Sequence, residues 1–457
     1  MWLSYLFCLL PIILLIIRKL YLKLHKDAKN VCVIVLGDLG RSPRMQYHAM
    51  SFAKEGFSVD FIGYPGSSPL KEITEDSRIR IHYLSPPLEL ENKLPRLLCY
   101  VVKTLWQALS LTCALFIRNR VSGHVILQNP PAIPTIPICW FYCVIMSSQF
   151  VIDWHNYAHT LMALSLRKDH FLVKLAKTIE TYFGCKAQSN FCVSEAMRDD
   201  LKKNWGIKAE VLYDRPANEF QPISLIEKHN FLLKLSEKYS IFKGPTENST
   251  IFTEYSTNEV ELNPKRPGFI VSSTSWTEDE DFSILINALQ EYENAIVQED
   301  CSLPDLICVI TGKGPLKEFY MAIIKLKSWK HIKILTPWLE SEDYPKMLAS
   351  ADLGICLHTS SSGLDLPMKV VDMFGCELPV CAYNFKSLSE LVRHNENGMI
   401  FSNEKELAEQ LKSWFNNFPN NEEQRKLDEN FRQKLHEFQK NRWHGNWSSI
   451  ALRYFNR

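Results

Sequence analysis

Four stretches of this chain gather side chains that could do chemistry. Asp153-Trp154-His155-Asn156-Tyr157 puts an acid, an imidazole and aromatic rings into five residues. An imidazole titrates near neutral pH, so His155 could move a proton or contact a ligand, with Asp153 in support. A satisfied structural histidine is the plainer reading. Gly37-Asp38-Leu39-Gly40-Arg41-Ser42 lacks the G-x-G-x-x-G spacing of a dinucleotide site. Its glycines still let backbone approach a ligand, and a helix N-terminus just beyond favours an anion. Arg41 and Arg44 could add charge-assisted hydrogen bonds, and Asp38 could act as a base. A simple turn would use the same residues.

Thr311-Gly312-Lys313-Gly314-Pro315 sets a lysine between two glycines, so its ammonium can stand over a strand-to-helix turn where a diphosphate would fit. The densest stretch runs from His358 to Val380. Its Ser361-Ser362-Gly363 loop and Lys369 could hold phosphates, and Asp372 could hold a ribose diol. An inert helix with a solvated Asp372 is the alternative. Asp279-Glu280-Asp281 contains a D-x-D triplet, which binds a metal in some transferases. Here it follows Thr277 in the Thr-x-x-Glu spacing of a capping box, and the helix dipole alone favours acids there. A divalent cation is therefore possible, but no clear site indicates one.

These stretches need elements to position them. Val31–Leu36 is a continuous apolar run, as in a strand buried on both faces; a helix to Lys54 and a strand at 58–62 complete a βαβ unit. Further short apolar runs extend a doubly wound α/β domain over 31–215. Residues 222–267 are polar, with scattered prolines, and read as a linker or insertion. The strand pattern restarts at Phe269, giving a second α/β domain over 268–415 and helices over 416–457. Two facing domains imply a cleft for a small molecule. The segments 94–117 and 133–146 are unusually apolar; they are either core helices or a surface resting on a bilayer interface.

With 457 residues, two or three domains fit at ~100–200 residues each. Lys and Arg number 52 against 51 Asp and Glu, a net charge of +1, which excludes a bulk nucleic-acid binder. The 13 cysteines are scattered and odd in number, without C-x-x-C pairs, and read as reduced thiols. Residues 1–22 are almost wholly apolar, with Arg18, Lys19, Lys23, Lys26 and Lys29 in and after the run and no cation before it. That reads as a transmembrane anchor with the body in the cytosol.

Residues 37–49 (GDLGRSPRMQYHA), 151–157 (VIDWHNY), 271–285 (VSSTSWTEDEDFSIL), 309–316 (VITGKGPL) and 358–381 (HTSSSGLDLPMKVVDMFGCELPVC) resemble the GT-B glycosyltransferases. Among these, they resemble the enzymes that move mannose from GDP-mannose onto dolichol-diphosphate-linked chitobiose at the cytosolic face of the endoplasmic reticulum. The resemblance spans about 31 to 415. It implies two facing Rossmann-like domains behind an N-terminal transmembrane anchor, a lipid bilayer as partner, and other dolichol-pathway transferases as neighbours.

The resemblance also implies inversion, with a base taking the proton of the GlcNAc 4-hydroxyl. Asp38 or His155 would be that base, with Asp153 supporting. Gly312, Lys313, Gly314, Ser361, Ser362, Gly363, Asp365, Lys369 and Asp372 would bind the donor, Asp365 at the mannose. Gly37, Gly40, Arg41, Ser42 and Arg44 would bind the acceptor. The Glu-x7-Glu pair of many retaining relatives is absent: Asp372 fits its second position, but Leu364 stands at the first. Two other readings stay open, an inactive membrane scaffold and a transferase of another nucleotide sugar.

The cytosolic topology predicts that the sequons at Asn248 and Asn446 stay unmodified. Glycosidase treatment of the expressed chain should leave its mass unchanged.

Overall fold

The computed structural model describes residues 27–87, 95–256, 259–299 and 302–456. The expected anchor at 1–22 lies outside them. The chain divides into two units, Met1–Tyr213 with His444–Arg457, and Asp214–Trp443.

The first unit carries strands β1 (Asp27–Asp38), β2 (Ser58–Tyr64), β3 (Ile79–Tyr83), β4 (Ser122–Asn129), β5 (Gln149–Trp154), β6 (Ser189–Cys192) and β7 (Glu210–Val211). Its helices are α1 (Pro43–Lys54), α2 (Lys71–Glu75), α3 (Arg96–Cys113), α4 (Thr135–Met146), α5 (Ala158–Ser165), α6 (Phe171–Gly184) and α7 (Glu195–Trp205). The strands pair parallel in the order β3-β2-β1-β4-β5-β6-β7. Val33 on β1 sits between Phe61 and Ile126, so the central strand has neighbours on both sides. A parallel strand covered on both faces has no polar side to show, which is why this run is apolar without alternation. The strand order reverses between β1 and β4, so the loops after β1, β4 and β5 surround one crevice at their C-terminal ends.

The second unit carries a hairpin, β8 (Thr253–Ser256) with β9 (Glu259–Leu262), and a parallel sheet of β10 (Gly268–Ser273), β11 (Leu306–Thr311), β12 (Ile332–Leu335), β13 (Leu353–Cys356), β14 (Val380–Tyr383) and β15 (Met399–Phe401). Its order is β12-β11-β10-β13-β14-β15. Its helices are α8 (Leu225–Lys238), α9 (Phe282–Glu299), α10 (Lys317–Lys325), α11 (Asp343–Ser350), α12 (Met368–Gly375), α13 (Glu404–Phe415) and α14 (Glu422–Lys440).

The segment 222–267, expected as linker or insertion, is folded into this second unit. Ser224 and Glu227 form a reciprocal capping box at the start of α8. Phe231, Leu232, Phe242 and Phe252 pack with Phe269 and Val271 in its core. The helical tail expected over 416–457 also divides: α14 stays with the second unit, while α15 (Trp443–Ile450) leads into the segment that closes the first. There Trp447 and Phe455 meet Phe52 edge-on, with ring centroids 4.8 and 4.6 Å away.

Of the two readings for the apolar helices, the structure favours a surface one for α3. Cys99 and Leu111 turn inward, while Leu98, Tyr100, Val101, Leu105 and Leu109 are exposed. By length and composition Leu98–Arg118 could cross a membrane. Apolar area left in water on this scale marks a partner surface.

Phe455 lies against Phe52, His124, Phe191 and Trp447. Phe455→Ala should therefore destabilise the first unit by about 3–5 kcal/mol, read as a lower denaturant midpoint.

Candidate functional site

The first cluster is built on a buried carboxylate. Asp153, the penultimate residue of β5, is fully buried. Arg44, near the start of α1, grips it with two edges of its guanidinium: Nε to Oδ2 at 2.8 Å and Nη2 to Oδ1 at 2.8 Å. Nη1 of Arg44 donates to the Leu212 carbonyl at 2.8 Å. Two imidazoles join the same carboxylate, His48 Nε2 at 3.1 Å and His155 Nε2 at 2.7 Å, both to Oδ2.

Tautomers follow from the donors. The Trp447 indole can only donate, and it gives its N–H to His48 Nδ1 at 2.9 Å. His48 therefore carries its proton on Nε2 and gives it to Asp153. An ionised Asp153 can only accept, so His155 also carries a proton on Nε2, and in a neutral imidazole Nδ1 is then the acceptor. Burial pushes Asp153 upward, but Arg44 and His155 outweigh it and hold the carboxyl well below the usual range. Burial holds His48 below its ordinary value despite Asp153. The result is an anion, a neutral locked imidazole and a second imidazole whose side chain is 21% exposed.

The loop after β1 is spent differently. Asp38 Oδ1 accepts from the Gly40 amide and Oδ2 from the Ser67 amide, each at 2.9 Å. Ser42 Oγ returns to the Asp38 carbonyl at 3.0 Å, and Arg41 Nε reaches Ser67 Oγ at 3.2 Å. Asp38 thus latches its loop to the segment after β2. Of the two arginines expected at an acceptor diphosphate, Arg41 is exposed, while Arg44 is 1% exposed. Arg44 is the counter-ion of Asp153, because a carboxylate removed from water needs a paired cation. An acceptor-binding role for Arg44 does not fit that burial.

The second cluster lies at the C-terminal ends of β10, β11 and β13, beside the reversal of strand order. A cavity of about 250 Å³ is lined there by Ser273, Thr274, Thr311, Gly312, Trp338, Tyr344 and Lys369, among others. Gly312 has φ +126°, and a Cβ on it would strike the Thr274 carbonyl; one on Gly314 would strike that of Ser275. These glycines therefore serve the crossing of two loops. Lys313 Nζ stands 3.5 Å from the centre of the Trp338 ring, a cation–π contact at the cavity. Tyr344 gives its hydroxyl proton to Ser273 Oγ at 2.9 Å. Burial, with Glu219 and Asp214 adding negative charge, pushes Asp372 well above the usual carboxylate range.

The capping box expected at Thr277 does not form, since α9 begins at Phe282. The three acids of the D-x-D triplet part company. Asp279 pairs with His358 Nδ1 at 3.3 Å. Buried Glu280 accepts from Thr274 Oγ1 at 2.5 Å and the Ser275 amide at 2.9 Å, and it pairs with Lys369. Asp281 accepts the Ser283 amide at 2.9 Å, capping α9. Among the described residues, no group of three or more His, Cys, Asp or Glu side chains converges as metal ligands would.

His358 bridges Asp279 and Asp365, whose Oδ2 is 3.4 Å from Nε2. That second contact is charge attraction without hydrogen-bond alignment, because Nε2 and Asp365 Oδ1 are both buried without a hydrogen-bond partner. Thr359 adds amide and hydroxyl bonds to the Asp279 carbonyl at 2.9 and 2.7 Å, so the loops after β10 and β13 are tied together. In the Ser/Gly loop, the Leu364 amide is occupied by the hydroxyls of Ser360 and Ser362 at 3.1 and 3.2 Å.

Of the expected donor residues, Gly312 and Lys369 line the cavity and Lys313 stands over its Trp338. Ser361, Ser362, Gly363 and Asp365 are not among its walls. Sequence reasoning missed His48, Trp447, Trp338 and Tyr344; it named Glu280 only as part of a capping box or metal triplet, and His358 only as the start of the densest stretch. The Trp338 loop follows β12 at the same edge of the sheet, and that rule applied to every strand would have found it.

Two parallel doubly wound units, with charged loops at the strand ends, define a GT-B glycosyltransferase. Residues 256–434 match the family Glycosyl transferases group 1. The chain is 48% identical to the chitobiosyldiphosphodolichol beta-mannosyltransferase of Pongo abelii, over 97% of this chain and 96% of that one. It is 42% identical to the UDP-glycosyltransferase TURAN of Arabidopsis thaliana, over 86% of this chain and 90% of that one. Sucrose-phosphate synthase from Thermosynechococcus elongatus shares the fold, with a TM-score of 0.61 at 11% identity over 93% of this chain and 97% of that one. The chain belongs to the chitobiosyldiphosphodolichol beta-mannosyltransferase family.

His358 gives a pH prediction. Burial alone would lower it, but Asp279 and Asp365 push it from 6.5 up to about 9. A raised histidine contributes stability that is present below its unfolded value and is lost as pH rises through the folded one. The second unit should lose stability between those limits, and His358→Gln should flatten that dependence in denaturant midpoints taken across the window.

Proposed function

We propose that this glycosyltransferase moves mannose from GDP-mannose to the 4-hydroxyl of the terminal GlcNAc of dolichol-diphosphate-linked chitobiose, with inversion. In this reading His155 Nδ1 takes the hydroxyl proton as the oxygen attacks the anomeric carbon. The bond from that carbon to the diphosphate breaks on the opposite side, and GDP leaves with the electron pair. The single observation that carries the assignment of the base is the Asp153–His155 pair. Its carboxylate holds the imidazole proton on Nε2 and favours the imidazolium that forms, which is how an aspartate serves a catalytic histidine. Asp38 has both oxygens on backbone amides and suits the role less.

Lys369 and Lys313 are the cations proposed for the leaving diphosphate. Lys369 rests on Glu280, which keeps it at the cavity wall before a phosphate arrives. Asp372 is proposed at the ribose and Asp365, with an unpartnered oxygen, at the mannose. Arg41 remains the cation proposed for the acceptor's diphosphate. A lipid acceptor suits a body at the cytosolic surface of the endoplasmic reticulum membrane, held by residues 1–22 and resting on the exposed face of α3. Other transferases of the same pathway are the proposed neighbours there.

The Arabidopsis relative's name gives one observation in favour of a uridine nucleotide sugar instead. Turnover with GDP-mannose against UDP-GlcNAc, with anomeric analysis of the product, separates the two. A β-linked mannoside from GDP-mannose alone is expected.

Lys369→Ala should lower kcat by about 10²-fold or more, as expected for loss of a group on the developing negative charge. His155→Ala should fall similarly at saturating substrates, and Asp38→Asn less. A near-normal rate for His155→Ala would remove it as base.

A further inference from the structure

The buried side of the Asp153 cluster is made by residues that no part of the proposed reaction requires to touch substrate. His48 and Trp447 are both fully buried, and they come from α1 and from the closing segment of the chain. We propose that His48, locked by Trp447, is a positioning residue that sets the proton affinity of His155 through their shared carboxylate oxygen. This inference rests on His155 being the base.

The geometry carries it in three links. Trp447 Nε1 to His48 Nδ1 is 2.9 Å, His48 Nε2 to Asp153 Oδ2 is 3.1 Å, and Asp153 Oδ2 to His155 Nε2 is 2.7 Å. The indole cannot accept a proton, so it holds His48 in the one tautomer that donates to Asp153. Oδ2 then divides its charge among Arg44 Nε, His48 and His155. Each donor that draws on the oxygen weakens its pull on the others. The His48 N–H therefore moderates how strongly Asp153 favours the imidazolium of His155. With that donor gone, Asp153 would favour the imidazolium more, and His155 would stay protonated to higher pH.

Several titratable groups lie near the pair among the described residues. Arg44 shares α1 with His48; Asp153 and His155 come from the end of β5; Cys192 lies on β6. His444 stacks on Trp447, and its Nε2 is 3.3 Å from Glu55 with Lys54 nearby. Of these, Asp153 is hydrogen-bonded to both imidazoles.

The test is the pH dependence of kcat for mannose transfer by the full-length chain in membranes, with GDP-mannose and a chitobiosyl lipid acceptor. His48→Leu removes the donor and keeps apolar volume. It should lower kcat about 10-fold and move the acid limb to higher pH by roughly half a pH unit or more. His48→Gln supplies an amide N–H and should bring the limb back toward the wild-type position. Trp447→Phe keeps a ring and drops the indole N–H, so it reads the lock should His48→Leu fail to fold. It should lower kcat with little change in the KM for GDP-mannose.

Lower kcat and lower stability with the limb unmoved would mean a structural role only and would overturn the inference. So would wild-type kcat in His48→Leu and Trp447→Phe. His155→Asn is the reference. If its acid limb persists, His155 is not the base and both readings fall. If the limb vanishes there yet stays put in His48→Leu, only the positioning role falls.

Discussion

A carboxylate taken wholly out of water is the constraint around which the first unit is arranged. An unpaired buried charge costs several kcal/mol, and a parallel sheet cannot supply the donors because its amides are spent on neighbouring strands. Asp153 near the end of β5 is still paired with β4 on one side and β6 on the other, so side chains from other elements must serve its carboxylate instead. α1 supplies Arg44 and His48, one turn apart on the same face. The turn after β5 supplies His155. Each donor fixes a larger element: Arg44 also reaches the Leu212 carbonyl beside β7, and His48 takes Trp447 from the end of the chain. One anion thus connects the first helix, the central strands and the closing segment.

The second unit has the opposite arrangement, a cation held by a buried acid. Glu280 has little exposed surface, and its partners are a hydroxyl, an amide and the Lys369 ammonium. An ammonium on a flexible stem would otherwise sample solvent. Paired to a carboxylate fixed by two further donors, it gives up that freedom before any ligand binds. The same loop gives Asp279 to His358, so the loops after β10 and β13 are joined by that ion pair and the Thr359 bonds, while Glu280–Lys369 ties the first loop to α12. Gly312 and Gly314 let the loop after β11 cross the first of these closely. The cavity walls are therefore set by contacts between loops.

The fold was legible in the sequence because parallel sheets write plainly: Val31–Leu36, Leu306–Ile310 and Leu353–Leu357 are short apolar runs ended by glycine or polar residues. The segment 222–267 was not legible. Its helix shows only an amphipathic stripe among charges, and Phe242 and Phe252 are isolated until tertiary packing joins them. At the site, the loops were found by their position after strands, but the partners were not. Nothing local ties Arg44 to Asp153, or Trp447 to His48 across 399 positions. Arg44 read as a free cation for the same reason that Glu280 read as a helix cap: each has a plausible local role, and only the fold reveals a stronger distant one.

In the proposed inverting displacement the two units would answer different electrostatic demands, and the chemistry of their side chains divides along that line. Positive charge grows on a base as it takes a proton, so the base needs an anion behind it, shielded from water where the attraction is strong. Negative charge grows on a departing diphosphate, so that end needs cations held in place beforehand. A buried Asp153 behind a partly exposed His155 suits the first demand. Lys369 on Glu280, with Lys313 over Trp338, suits the second. Neither demand needs a large net charge, because Asp153 and Lys369 each have an opposite charge within a few ångströms. This is how a chain carrying 52 basic and 51 acidic residues can still present strong local fields where the reaction would need them.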